Sequence, residues 1–120
     1  MTDRRVLISS FYEHHKVFRF LESINLYRCA DDFSEAAWFN LDIVLSKDLG
    51  YERDKKLLLR FLKVADFRAE HFISWAWNGV YLEIFDMSTC QLEGVKYKVV
   101  EAELDLFSFY CESFEFEILS

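Results

Sequence analysis

At 120 residues the chain has the length of one domain, 1–120, and with 52% hydrophobic residues it can bury a core without disulfide or metal staples. Its net charge of −7 is gathered in one region: residues 1–79 hold 12 acids and 12 Lys or Arg, whereas residues 80–120 hold 9 acids against Lys96 and Lys98. Such an acidic surface repels phosphate backbones and anionic lipid, which sets nucleic acid and membranes aside as partners and leaves a basic protein as the ligand it would attract.

The 13 Phe, 6 Tyr and 3 Trp favour pleated, half-buried surfaces, so the core is expected to be built from rings on strands. Near the start, "SFYE" sets Ser10 three residues before Glu13, the spacing of a capping box. Phe11, His15 and Phe18 then follow at i, i+4 and i+7, with Leu21 continuing the stripe, which predicts a short helix over about residues 10–20. Beyond it the period becomes two. "SINLYRC" places Ile24 and Leu26 on one side, and "WFNLDIVLS" places Phe39, Leu41, Ile43 and Leu45 inward with Asn40, Asp42 and Ser46 outward. "LLLRFLKVADF" resumes as a strand covered on both faces, because Leu57, Leu59 and Phe61 alternate with Leu58 and Leu62.

In "WAWNGVYLEIF", Asn78-Gly79 is the dipeptide that a two-residue type I′ turn needs, since both central residues take positive φ. A hairpin of about 70–77 against 80–86 follows, with Trp75 and Trp77 on one face of its first strand and Tyr81, Glu83 and Phe85 on one face of its second. "VKYKVVEAEL" begins another strand. The last segment, "FSFYCESFEFEILS", alternates twice out of step: Phe107, Phe109 and Cys111 are odd, Phe114, Phe116 and Ile118 even. One extra residue near Cys111–Ser113 would reset the alternation and aim all six at one core; a hairpin at Glu112-Ser113 is the alternative, but neither residue suits positive φ. The fold expected is mainly β (α+β): a bent antiparallel sheet forming a sandwich or partly open barrel, with a short N-terminal helix.

Residues that could carry chemistry have plain structural alternatives. His14 and His15 are adjacent, not four apart, and so do not share the helix face that a metal pair needs. His71 has no Ser or Cys partner motif, and the acids of "DDFSE" lack the glycine and spacing of a calcium loop. No phosphate-binding or nucleophile motif occurs, so neither enzyme activity nor a cofactor is expected. Cys29, Cys90 and Cys111 are odd in number and widely spaced, which argues against a disulfide framework. With no secretory signal and no membrane-length apolar run, a cytoplasmic protein is expected. Cys111, among Phe109, Glu112 and Phe114, is expected to be a buried, inert thiol.

Two candidate sites remain. Glu101, Glu103, Asp105, Glu115 and Glu117 would line the outer side of the last strands, as a solvated face or as a partner site. Trp75, Trp77 and Tyr81 would be core rings or the lining of a small-molecule pocket in a half-barrel. A Phe-rich edge strand could also pair with its own copy, giving a homodimer and a structural role.

The run "QLEGVKYKVVEAELDLFSFYCESFEFEI", with "WFNLDIVLS" and "LLLRFLKV" before it, resembles a group of small bacterial β-rich proteins related to the immunity proteins of polymorphic toxin systems. The resemblance covers about residues 38–119 and is carried by strand pattern and by the "FYC" and "FEFEI" segments. It brings no catalytic motif and no site residue. What it implies is a cytoplasmic protein that binds and blocks a toxin made by the same cell, which agrees with the separate reading of the charge: an acidic last segment suited to a basic toxin domain.

Overall fold

The computed structural model describes residues 4–30, 37–47, 55–69, 79–87, 95–103 and 105–119. Within them one helix, α1 (Arg4–His15), precedes eight strands: β1 (Phe20–Ala30), β2 (Ala37–Ser46), β3 (Lys56–Leu62), β4 (Ala65–Arg68), β5 (Leu82–Asp86), β6 (Tyr97–Glu101), β7 (Ser108–Cys111) and β8 (Ser113–Leu119). The strands make two antiparallel four-stranded sheets, ordered β1-β2-β3-β8 and β4-β7-β6-β5. Among the described residues the sheets do not close into a barrel, and the expected mainly β architecture with one short N-terminal helix is the one found.

The parity break of the last segment is where the chain changes sheets. Leu62 pairs with Ser113 and Ala65 with Tyr110, so β3–β4 and β7–β8 form a two-stranded ribbon that starts in the first sheet and ends in the second. On each strand two residues separate successive core side chains at the passage: Leu62 and Lys63 lie between Phe61 and Val64, Glu112 and Ser113 between Cys111 and Phe114. The corner is fixed by local bonds. Lys63 takes φ +56° and donates its N–H to Asn40 Oδ1 (3.1 Å), Val64 N–H donates to the Phe39 carbonyl (2.7 Å), and Glu112 N–H to that of Leu62 (3.0 Å). Lys63 Nζ also lies 3.4 Å from the Glu112 carboxylate. The extra residue expected near Cys111–Ser113 is thus used to fold one strand over onto a second sheet.

Alternation read the core correctly along most strands. Leu41, Ile43, Leu45, Leu57, Leu59, Phe61, Phe107, Phe109, Cys111 and Phe114 are all buried. Four expectations fail on β2 and β8: Asn40 and Ser46, expected outward, are buried, Asn40 because its Oδ1 accepts the Lys63 N–H at the corner, and two apolar residues are exposed. Phe39 is 45% exposed, one step beyond the apolar pairs and opposite Arg28, and Ile118 near the end of β8 is 39% exposed.

The helix starts earlier and stops sooner than the capping box implies. Ser10 lies mid-helix, where its carbonyl accepts a bond from His14 Nδ1 at 2.8 Å. Leu7, Ile8, Phe11, Tyr12 and His15 extend the core-facing stripe upstream of Ser10, and tertiary packing of that stripe outweighs a local cap signal. Phe11 is fully buried, edge-on to Phe114 and Phe116 with ring centres 6.3 and 6.4 Å away. Burial of one such ring is worth about 1.5–3 kcal/mol.

The same helix covers an exposed strand edge. Among the described residues β5 is the outermost strand of its sheet, and its outward amides would otherwise be unpaired. His15 Nε2 accepts the Leu82 N–H at 2.9 Å and Tyr12 Oη accepts the Ile84 N–H at 2.9 Å. His15 Nδ1 in turn donates to the Phe18 carbonyl at 2.9 Å, so both ring nitrogens are committed and the imidazole is the neutral tautomer with its proton on Nδ1. Burial lowers the His15 pKa below its ordinary 6.5; the Phe18 carbonyl opposes this and Arg19 adds to it. A lowered folded-state pKa makes the unfolded chain bind more protons as pH falls. The stabilisation is therefore complete above the ordinary histidine pKa and declines as pH drops through it toward the lower folded-state value. Urea midpoints measured between about pH 7.5 and pH 5 should fall with acidification, and a His15→Gln variant should show a flatter slope over that window.

Candidate functional site

β3 and β8 place a row of polar side chains on the outer face of the first sheet. Asp42 on β2 pairs in register with Arg60 on β3, and Arg60 with Glu115 on β8. Arg60 grips Asp42 with two bonds, Nε to Oδ1 at 3.0 Å and one terminal nitrogen to Oδ2 at 3.2 Å. Tyr27 of β1 donates its hydroxyl to Asp42 Oδ1 at 3.1 Å. These hydrogen bonds and the Asp42 charge raise the Arg60 pKa, and partial desolvation together with Asp42 raises that of Tyr27. A bidentate pair of this kind is worth more than an ordinary surface ion pair, which contributes about 0–1 kcal/mol.

The row is satisfied at one end and open at the other. Arg60 reaches Glu115 only at 3.9 Å, and the Glu115 side chain is 63% exposed. Glu117 faces Leu58 in the register and has no hydrogen-bond or ion-pair partner among the described residues. Between them lies a shallow groove of about 180 Å³ lined by Leu58, Arg60, Glu115, Phe116 and Glu117. An apolar floor with two exposed carboxylates at its rim is suited to a long basic side chain, whose methylenes cover Leu58 while its head reaches the acids.

The five acids expected on one face do not share it. Glu115 and Glu117 belong to the first sheet, whereas Glu101 ends β6 in the second and Glu103 and Asp105 follow it. Glu101 is the clear correction, being 1% exposed and turned inward. Its Oε1 accepts the N–H groups of Tyr81 and Glu103 at 3.0 Å each, and its Oε2 that of Leu106 at 3.2 Å. It organises the turn after β6 and offers no charge to a partner. Glu103 is exposed and paired with Arg19 at 3.2 Å, and Asp105 is exposed in a left-handed conformation, φ +56°.

Sequence reasoning missed Tyr27, Asp42 and Arg60 as a connected set. The period of two put Asp42 outward, but only the register between β1, β2 and β3 brings it to the other two.

The second candidate is divided in a different way. Trp75 and Trp77 lie outside the described residues, as do the first strand of the expected hairpin, Asn78, His71 and the "DDFSE" acids. Gly79 takes φ +79°, and the N–H of the next residue, Val80, donates to the Arg19 carbonyl at 2.7 Å; the expected turn itself includes Asn78 and lies partly outside the described residues. Tyr81 is exposed and lines a groove of about 240 Å³ between α1 and β5 with Tyr12, His15, Lys16 and Arg19. The two cations there are held by acids, Lys16 by Glu13 and Arg19 by Glu103, each at 3.2 Å.

Burial pushes the Cys111 thiol up to about 12, the state of an unreactive core residue. Among the described residues no cluster of three or more His, Cys, Asp or Glu could hold a metal ion, and no helix is long and apolar enough to cross a membrane.

No curated protein and no solved structure matches the chain. A family model does: that of Immunity protein PIM8 matches residues 5–117, from the second residue of α1 to Glu117 in β8. The match spans the helix, both sheets and the corner between them, and so the chain belongs to the Immunity protein PIM8 family, with the general role of an immunity-type inhibitor acting on a protein partner.

Proposed function

We propose that this chain is a non-enzymatic inhibitor that binds a basic toxin domain through the acidic outer side of β8, with Glu115 and Glu117 as the residues that meet the toxin. The observation that carries this reading is the unequal sharing of charge on the first sheet. Arg60 is committed to Asp42, which leaves Glu115 loosely held and Glu117 without a partner among the described residues, both in view of solvent. Exposed like charges two residues apart cost a folded protein a little and gain it nothing internally, whereas across an interface they steer an oppositely charged partner. Glu103 and Asp105, at the end of the second sheet, add to the negative field without sharing the contact.

The test is charge reversal. A Glu115→Lys/Glu117→Lys variant should protect cells poorly against the toxin and associate with it about tenfold or more slowly at low salt, the difference shrinking as salt rises. Unchanged association at low salt would remove both residues from the interface.

A further inference from the structure

Among the described residues the two sheets have four outer strands, and two of them are blunted along their length. β1 is bulged only near its start, between Leu21 and Ser23, and runs in unbroken register from Ser23 to Ala30, but over those positions it carries no acid and one base, Arg28, so a basic segment is not drawn to it. β4 is four residues long, with a register shift and Asp66 at φ +54°. β5 has its outward amides taken by His15 and Tyr12. Bulges, brevity and covering groups are the usual means of keeping an edge from pairing with another chain.

β8 has none of these. It runs seven residues, Ser113–Leu119, in unbroken register with β3, and its far side makes no hydrogen bond to any described residue. α1 approaches it with rings, Phe11 and His14 against Phe116 and Phe11 against Phe114, and no hydrogen bond joins the two among the described residues. Its side chains alternate strictly: Phe114, Phe116 and Ile118 toward the inside, Glu115 and Glu117 toward the outside, with Ile118 and Leu119 still 39% and 37% exposed.

We infer that β8 is a strand-addition edge: an extended segment of the toxin pairs with it backbone to backbone, carrying Lys or Arg at alternate positions beside Glu115 and Glu117 and apolar residues beside Phe116 and Ile118. This rests on the reading of the chain as a protein-binding inhibitor. Charge selects the occupant. A second copy of β8 would set glutamates beside glutamates, which is unfavourable across paired strands, whereas a basic strand completes on the far side the pairing that Arg60 begins on the near side. Backbone bonds supply affinity in such complexes and the alternating side chains supply selectivity.

The experiment uses the full chain and short synthetic peptides, followed by amide hydrogen exchange and NMR titration. A peptide alternating lysine and valine should protect every second amide between residues 113 and 119. The same peptide N-methylated along one edge, and a glutamate–valine peptide, should each bind at least about tenfold more weakly. In the Glu115→Lys/Glu117→Lys variant the preference between the two unmethylated peptides should reverse. The inference is overturned if the methylated peptide binds as well as its parent, if β8 amides gain no protection, or if that alternate protection grows with protein concentration alone, which would assign the edge to a second copy. These outcomes separate from those of the inhibitor reading. Failed strand pairing, with toxin protection still lost on charge reversal, ends strand addition and keeps the acidic contact; strand pairing with toxin protection untouched by charge reversal does the opposite.

Discussion

Replacing Glu101 with alanine should lower the unfolding free energy by about 3–5 kcal/mol, read as a shift of the urea midpoint at unchanged slope. The carboxylate accepts from the amides of Tyr81, Glu103 and Leu106 in a place where the side chain is 1% exposed, so its removal leaves three donors with no acceptor. Each unsatisfied buried donor costs about 1–3 kcal/mol, and water entering the vacated space returns part of the total. A Glu101→Gln variant separates geometry from charge. Its carbonyl can still serve Tyr81 and Glu103, while its amide group opposes the Leu106 N–H, so the loss should be smaller and confined to the turn after β6. An alanine variant as stable as the parent would mean that the turn is held by other contacts.

Phe61→Ala is the second large effect expected, about 3–5 kcal/mol by the same measurement. Phe61 is fully buried at the corner between sheets, with its ring 4.9 Å from that of Phe109 in an edge-on contact and 5.9 Å from that of Phe114. These neighbours come from β7 and β8, the strands on either side of Glu112, so one ring ties together both halves of the bent ribbon. Truncation removes the transfer energy of the ring and the favourable aromatic geometry, and leaves a cavity that paired backbones on both sides cannot easily close. Phe39→Ala is the internal control. Although the period of two assigns Phe39 to the core as firmly as Leu41, it is 45% exposed, and its loss should cost less than about 1 kcal/mol.

These two residues mark where sequence reading works and where it stops. Alternation identifies Phe61 as core because the whole run from Leu57 keeps its phase and lies in the middle of a sheet. The same rule overreaches at Phe39, since a period says which side a residue faces and not whether anything lies above it. Glu101 shows the converse error. Tyr97, Val99 and Glu101 are in phase and all three are buried, so the alternation of "YKVVE" already pointed the carboxylate inward. Residue type argued for the surface, and the position won because backbone amides nearby needed an acceptor.

The resemblance to toxin-immunity proteins was legible from strand pattern and agrees with the family match over residues 5–117. The row of Tyr27, Asp42 and Arg60 was not legible, because it depends on strand order, and strand order depends on which distant segments pair. Nothing local in "FEFEI" states that its neighbour is β3 and not the strand just before it in sequence. The change of sheet at Glu112 settles that choice, and its signature in the sequence was only a slip in parity.

That corner has a consequence for how the protein comes into being. Phe61 and Phe114 pair directly, although a long intervening stretch of chain must be made before they can meet, and closing so long a loop is slow compared with forming a local hairpin. Until β8 returns, the first sheet ends at β3 with its apolar Leu57, Leu59 and Phe61 row incompletely flanked, and the second sheet lacks the ribbon that anchors it to the first. The two sheets are therefore expected to mature together, when β8 returns to β3. A chain that stops short of that return would lack the outer strand on which Glu115 and Glu117 stand.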